Sequence, residues 1–252
     1  MEASYREIGS EIVLAPFGDV QVGAPYAKET CKRYIDKAME AGAKFIGMGD
    51  YVDVTNPSSR RALRSIRMAD TLESALREKA EEHVEEFLEL VKGTEWIGLL
   101  SGHHYFDFED GTTSDSRIAR ALRTEFWKGS VWLKLGRTRI LDDFTVLAFH
   151  GDGSSGAPSG ALRKLESVAS GFEADICLMG HHHKLAVSKR DRLWHDGSEV
   201  RHTTQTLVCT GSYVKGYVEG QETYVERKMM VPVTLGGALI YVKLPDEVSV
   251  VI

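Results

Sequence analysis

Along this chain, short apolar runs alternate with longer stretches of helical apolar spacing. Glu11 to Ala15, Lys44 to Met48, Trp96 to Leu100, Phe144 to Phe149 and Ala174 to Met179 have the length and composition of buried β-strands. Between them, residues 26–41 read as a helix closed by Gly42, and residues 60–91 as one long helix or two joined near Asp70. Pro57-Ser58-Ser59 supplies helix-start chemistry for that second stretch, and Gly93 ends it. Residues 114–124 read as helical, and a further helix is expected after Gly160. From about residue 185 the pattern turns to short β runs, Thr206 to Cys209, Ala238 to Val242 and Val248 to Ile252, with turn residues such as Asp196-Gly197. This predicts an α/β fold with sheets facing one another and helices outside. No repeat, low-complexity tract or linker divides the chain, so a single domain over residues 1–252 is expected.

Polar residues are not spread evenly over this pattern. They gather where apolar runs end, as Gly18-Asp19-Val20-Gln21, Gly49-Asp50-Tyr51-Val52-Asp53, Gly102-His103-His104, His150-Gly151 and Gly180-His181-His182-His183. The chain has 9 histidines, and His103, His104, His150, His181, His182 and His183 all fall in these clusters. Carboxylates and imidazoles delivered from several strand ends to one sheet edge are what a pair of divalent cations requires. Asp50 suits a shared position, because one carboxylate can bridge cations about 3.5–4 Å apart. In an extended segment His181 and His183 point to the same side, leaving His182 outside the ligand shell or solvated. Singly, each cluster also reads as a capped turn or an exposed loop; together they favour the metal reading.

Composition narrows the field of partners. With 31 Lys and Arg against 37 Asp and Glu, the net charge of −6 leaves no overall basic field to hold a polyanion. The 3 cysteines, Cys31, Cys177 and Cys209, form no CxxC pair and read as thiols in a reducing compartment. Charged residues interrupt every stretch long enough to span a bilayer, so a cytoplasmic protein without membrane partners is expected.

The ordered clusters resemble the calcineurin-like metallophosphoesterases, whose pattern is D-x-H, G-D-x-x-D, G-N-H-D/E, H-G and G-H-x-H. The likeness runs from Asp19 to His183, with Thr210-Gly211-Ser212 similar to a later glycine-serine turn of that family. It implies a four-layer α/β/β/α sandwich of two facing mixed β-sheets flanked by helices. It implies Asp19, Gln21 and His183 on a first metal, Asp50 as bridge, and His103, His150 and His181 on a second. His104 would act as general acid and Asp53 would orient it. Two divalent ions are implied, manganese first, with iron, zinc, nickel and magnesium as alternatives. The implied reaction is hydrolysis of a phosphodiester or phosphomonoester by attack of a metal-bridging hydroxide.

The chain departs from that pattern in places that bear on specificity. Gln21 stands where the family has histidine, a harder oxygen ligand in the direction of Mn²⁺ or Mg²⁺. His103 replaces asparagine, and Tyr105 follows His104 where an acid is usual, leaving Asp107, Glu109 or Asp110 as substitutes. Aligning the family glycine with Ser101 instead of Gly102 would make His103 the catalytic histidine. Val54-Thr55 does not reproduce the Arg-Gly of protein serine/threonine phosphatases, which disfavours that subfamily. Arg60, Arg61, Arg64 and Arg67 are the replacement candidates for gripping phosphate, on one helix face that reads equally well as a solvated basic face. If they line the cleft, an Mn-dependent DNA or RNA nuclease is the alternative function; a non-catalytic metal-binding interaction domain is a third. Gly151 to Gly156 also matches G-x-G-x-x-G, but without a convincing βαβ continuation. The expected partner is a phosphate ester, with nucleotide and nucleic acid both open. Met229-Met230-Val231-Pro232-Val233 suits either core or a homodimer surface.

Overall fold

The computed structural model describes residues 1–54, 70–137, 143–195, 197–244 and 247–252. Among the described residues, twelve strands form two six-stranded mixed sheets. One sheet has the order β12 (Glu247–Val251), β11 (Leu239–Lys243), β2 (Glu11–Phe17), β3 (Lys44–Gly47), β4 (Glu95–Leu100), β5 (Glu125–Trp127). The other runs β1 (Glu2–Glu7), β6 (Ser130–Gly136), β7 (Asp143–Phe149), β8 (Ile176–Met179), β10 (Val200–Thr210), β9 (Leu185–His195).

The central strands are apolar on both faces because both faces are covered. Leu14, Ile46, Met48 and Leu100 of the first sheet meet Val131, Leu133, Val146 and Leu178 of the second in one buried cluster, so the sheets pack face to face. The outer face of the first sheet lies under helices α1 (Lys28–Glu40), α2 (Asp70–Leu90) and α3 (Ser114–Ala121). Helix α4 (Pro158–Ala169) covers the second sheet through Ala161, Leu165 and Ala169. The four-layer α/β/β/α sandwich implied by the motifs is therefore the fold observed.

Local chemistry explains the helices. In α1, Cys31, Tyr34, Ile35 and Ala38 recur at helical spacing and are buried, and Gly42 follows in the left-handed region at φ 65°. In α3, Thr113 and Ser116 form a reciprocal capping box. That helix ends before the expected residue 124, because Arg123 adopts φ 54°. Helix α4 starts at Pro158, ahead of Gly160, as the fixed φ of proline suits a first helical position. A four-residue helix, α5 (Tyr224–Arg227), lies in the long connection before β11. Among the described residues, no helix is long and apolar enough to cross a membrane.

Several elements go beyond the sequence pattern. The Thr206 to Cys209 run is the inner end of an eleven-residue strand that pairs along its whole length with β9. The outer half of this β9–β10 hairpin carries charge, and Arg190 and Arg192 of β9 donate to the carbonyls of Glu166 and Ala169 in α4. Strand β1 is a polar edge strand parallel to β6. Met229 and Val231 are exposed, at 80% and 60%, which excludes the core reading of that segment.

Phe17 is the hub beneath the first polar cluster. Its ring lies 5.2–6.3 Å from those of Tyr34, Phe45, Phe87, Trp96 and Tyr213, and it immediately precedes Gly18-Asp19. Phe17→Ala is expected to lower stability by about 3–5 kcal/mol, the usual range for emptying a buried aromatic site, read from urea denaturation. A loss below about 1 kcal/mol would show that this ring cluster does not anchor the first sheet.

Candidate metal centre

The parallel strands β2, β3 and β4 end side by side, as do β7 and β8, and the two sheets bring these five ends to one edge. Asp19 and Gln21 follow β2, Asp50 and Asp53 follow β3, and His103 and His104 follow β4. His150 follows β7, and His181 and His183 follow β8. The loops nearly touch. A Cβ on Gly102 would sit 2.1 Å from Asp50 N and Oδ1, and one on Gly49 would sit 2.6 Å from His150 Nδ1. Glycine at the head of two clusters is therefore a condition for closing the site.

Backbone strain concentrates here. Among the described residues, five of the seven non-glycine residues with positive φ are Asp19, Gln21, Asp50, His181 and His183. Such residues cost of order 1–3 kcal/mol each and persist where the surroundings over-determine them. Here the surroundings are hydrogen bonds between loops. Asp19 N donates to Gly49 O at 2.9 Å, Gln21 N to Asp50 O at 3.0 Å, and His181 N to Asp19 Oδ2 at 2.9 Å. The Thr210-Gly211-Ser212 turn closes the ring, with Ser212 Oγ and Tyr213 N both donating to Asp19 O at 3.0 Å.

Asp50 sits at the centre, almost completely buried. Its Oδ1 accepts the amides of His103 and His104, the latter at 2.9 Å. Its Oδ2 lies 3.2 Å from His150 Nε2 and 3.8 Å from His104 Nε2. Burial alone would raise this carboxyl; His150, then His104, overcome it and hold it well below the usual carboxylate range. Burial works against the His150 imidazolium too, but Asp50, with Asp19 behind it, pushes its pKa up to about 9.

The imidazoles divide into two sets. His103, His150 and His181 rings stand 4.7–5.1 Å apart in edge-to-face contacts, with His103 Nδ1 3.3 Å from His181 Nδ1. His104 turns the other way, its Nδ1 3.2 Å from Asp53 Oδ1. His183 Nε2 lies 3.3 Å from Asp19 Oδ1. His182 is buried rather than solvated, its ring against that of His181. Arg60, Arg61, Arg64 and Arg67 lie outside the described residues.

The donor set fits metal ions. One atom each from His103, His150 and His181 lies within 4.8 Å of the others, and the same holds for Asp19, Asp50 and His150. Ligands about 2.0–2.2 Å from one cation lie at most about 4.4 Å apart, so atoms gathered this closely are candidates for a common cation. Beyond those ion-pair contacts, the buried atoms Asp19 Oδ1, Asp50 Oδ2 and His150 Nε2 have no hydrogen-bond partner, an arrangement that a cation would relieve. The outer nitrogens are fixed as ligands require. His150 Nδ1 donates to Met48 O at 2.6 Å and His181 Nε2 to Gly153 O at 2.8 Å, which leaves the other nitrogen of each ring facing inward.

No family model matches the chain, and no curated protein matches it. Solved structures do. Vps29 complexed with Zn²⁺ from Entamoeba histolytica has a TM-score of 0.46 and 12% identity, with 95% of this chain and 90% of that chain covered. Vacuolar Protein Sorting 29 from Cryptosporidium parvum has 0.41 and 13%, covering 96% and 97%. A conserved uncharacterised protein from Streptococcus pneumoniae, a predicted phosphoesterase, has 0.38 and 13%, covering 96% and 90%. The functional reading stands on the geometry of the site itself.

Sequence reasoning missed Asp115. It is fully buried at the second position of α3, and its Oδ2 accepts the Gly102 N–H at 2.9 Å. Asp110, one of the three substitutes named for the absent acid, is instead engaged by Thr112 and Arg117. The only signal in the chain was an acid in the first turn of a capped helix, a common feature that helix-dipole chemistry already explains.

The His150–Asp50 pair gives metal-free protein a pH signature. A raised folded-state pKa adds stability that is complete below the unfolded value of about 6.5 and is lost as pH rises through about 9. The destabilisation caused by His150→Gln, measured by urea unfolding in chelator, is expected to be larger at about pH 6 than at about pH 9.5. Equal losses at both would remove the charge contribution of this pair.

Proposed function

We propose that this chain is a calcineurin-like metallophosphoesterase, a binuclear-metal hydrolase of a phosphodiester or phosphomonoester. One observation carries the reading: two overlapping ligand groups, His103-His150-His181 and Asp19-Asp50-His150, meet at the central carboxylate of Asp50, which can serve both, while His104 stands outside them, backed by Asp53. That is the division a metal-assisted hydrolysis needs, with ligands on one side and a proton carrier on the other. When bound, two divalent cations supply Lewis-acid charge at phosphorus and an activated water.

The chain's own residues do the rest. Asp19, Gln21 and His183 would hold one cation, His103, His150 and His181 the other, and Asp50 both. The amide oxygen of Gln21 favours Mn²⁺ at the first position. Asp53 holds the His104 ring by its Nδ1, which leaves Nε2 to deliver a proton to the leaving oxygen. The loops that meet at Gly49 and Gly102 fix these groups before substrate arrives, so little reorganisation is left for the reaction.

Manganese-reconstituted protein is expected to hydrolyse bis-p-nitrophenyl phosphate or p-nitrophenyl phosphate, with oligonucleotides as a third substrate to reveal a nuclease. Asp50→Asn should abolish turnover together with metal binding. His104→Ala should keep its metals and lose roughly 10²–10⁴-fold in kcat, the range for removing a general acid. Full activity in Asp50→Asn, or no bound metal in the wild-type protein, sinks the reading.

A further inference from the structure

Asp115 has no part in the chemistry above, yet it touches the same turn. Three consecutive amides, those of Gly102, His103 and His104, are divided between two buried carboxylates. Asp115 takes the first and Asp50 the other two. Helix α3 grips the loop at further points: Ser114 N donates to Phe106 O at 2.9 Å, and Phe106 N to Ser114 Oγ at 3.1 Å. Ser114 Oγ also donates to Asp115 Oδ1 at 3.3 Å. His103 and His104 thus leave a turn that is fastened from both sides.

A neutral asparagine would accept the Gly102 N–H equally well and avoid burying a charge. The charge is therefore the part that hydrogen bonding does not explain. Burial pushes the Asp115 carboxyl up to about 6, with the like charge of Asp50 acting in the same direction and the Gly102 hydrogen bond, His150 and Ser114 offsetting it only in part. A buried carboxylate in this position gains from positive charge on the opposite side of the turn. His150, a member of the His103-His150-His181 group, is near enough to act on the Asp115 carboxyl in this way.

We propose that Asp115 is a positioning residue for the metal centre. It holds the Gly102–His104 turn and, from outside the ligand shell, adds negative charge that strengthens cation binding at the His103-His150-His181 group. The inference rests on the metal-centre reading given above.

Mn²⁺ titration by calorimetry on wild type, Asp115→Asn and Asp115→Ala tests it without any turnover assay. Circular dichroism checks that each variant is folded, and the isosteric Asp115→Asn keeps the acceptor for Gly102. Asp115→Asn is expected to weaken the affected site about tenfold, and Asp115→Ala, which also frees the turn, up to about a hundredfold, the span seen when outer-shell partners of metal ligands are removed. Wild-type affinity in Asp115→Asn overturns the proposal while leaving the metal centre intact. A wild-type protein that binds no Mn²⁺ overturns both.

Discussion

The Asp50 carboxylate is the contact through which the two sheets share one site. It stands at the end of β3 in the first sheet, one oxygen fastening the turn after the neighbouring strand β4 and the other facing His150 of the second sheet. Removing an ion this size from water costs several kcal/mol even after relaxation, so the position is tolerable only with compensating charge and donors. Two backbone amides and an imidazolium supply them in the metal-free state. Cations would supply them more strongly, at the cost of the proton on His150.

The same closeness explains why the loops are strained. Five strand ends cannot meet within hydrogen-bonding distance if every residue stays in ordinary β or α conformation. Asp19, Gln21, Asp50, His181 and His183 therefore take left-handed geometry, and glycine is placed where even a methyl group would collide. Core packing bears the load: Phe17 lies directly under the first cluster, and Tyr51 donates to Leu100 O at 2.7 Å, tying the end of β3 to the end of β4.

Much of this was legible from residue order. Apolar runs located the strands that carry the candidate ligands, because a strand covered on both faces must be apolar throughout, and the polar residues beyond them marked the edge. What depended on cross-sheet geometry was not legible. Nothing in Glu2 to Glu7 marks an edge strand, since neither face is fully buried and its pairing with β6 spans more than a hundred residues. The outer β9–β10 hairpin is held by arginines bonded to helix carbonyls, a contact that pattern cannot express. Of the two alternatives for His182, the solvated one fails: between the left-handed turns at His181 and His183 its ring is buried against His181, outside both ligand groups. Asp115 was hidden for a related reason: its partner amide lies thirteen residues back, across a loop.

Because ligand groups come from both halves of the sandwich, an occupied centre would act as a clasp between them. A cation present at a thousandfold its dissociation constant adds about 4 kcal/mol to the folded state, comparable to a large part of the stability of a small domain. Metal supply would then govern how long the protein survives as well as whether it works. A copy made under metal starvation would open more often along the seam between its sheets and meet proteases sooner.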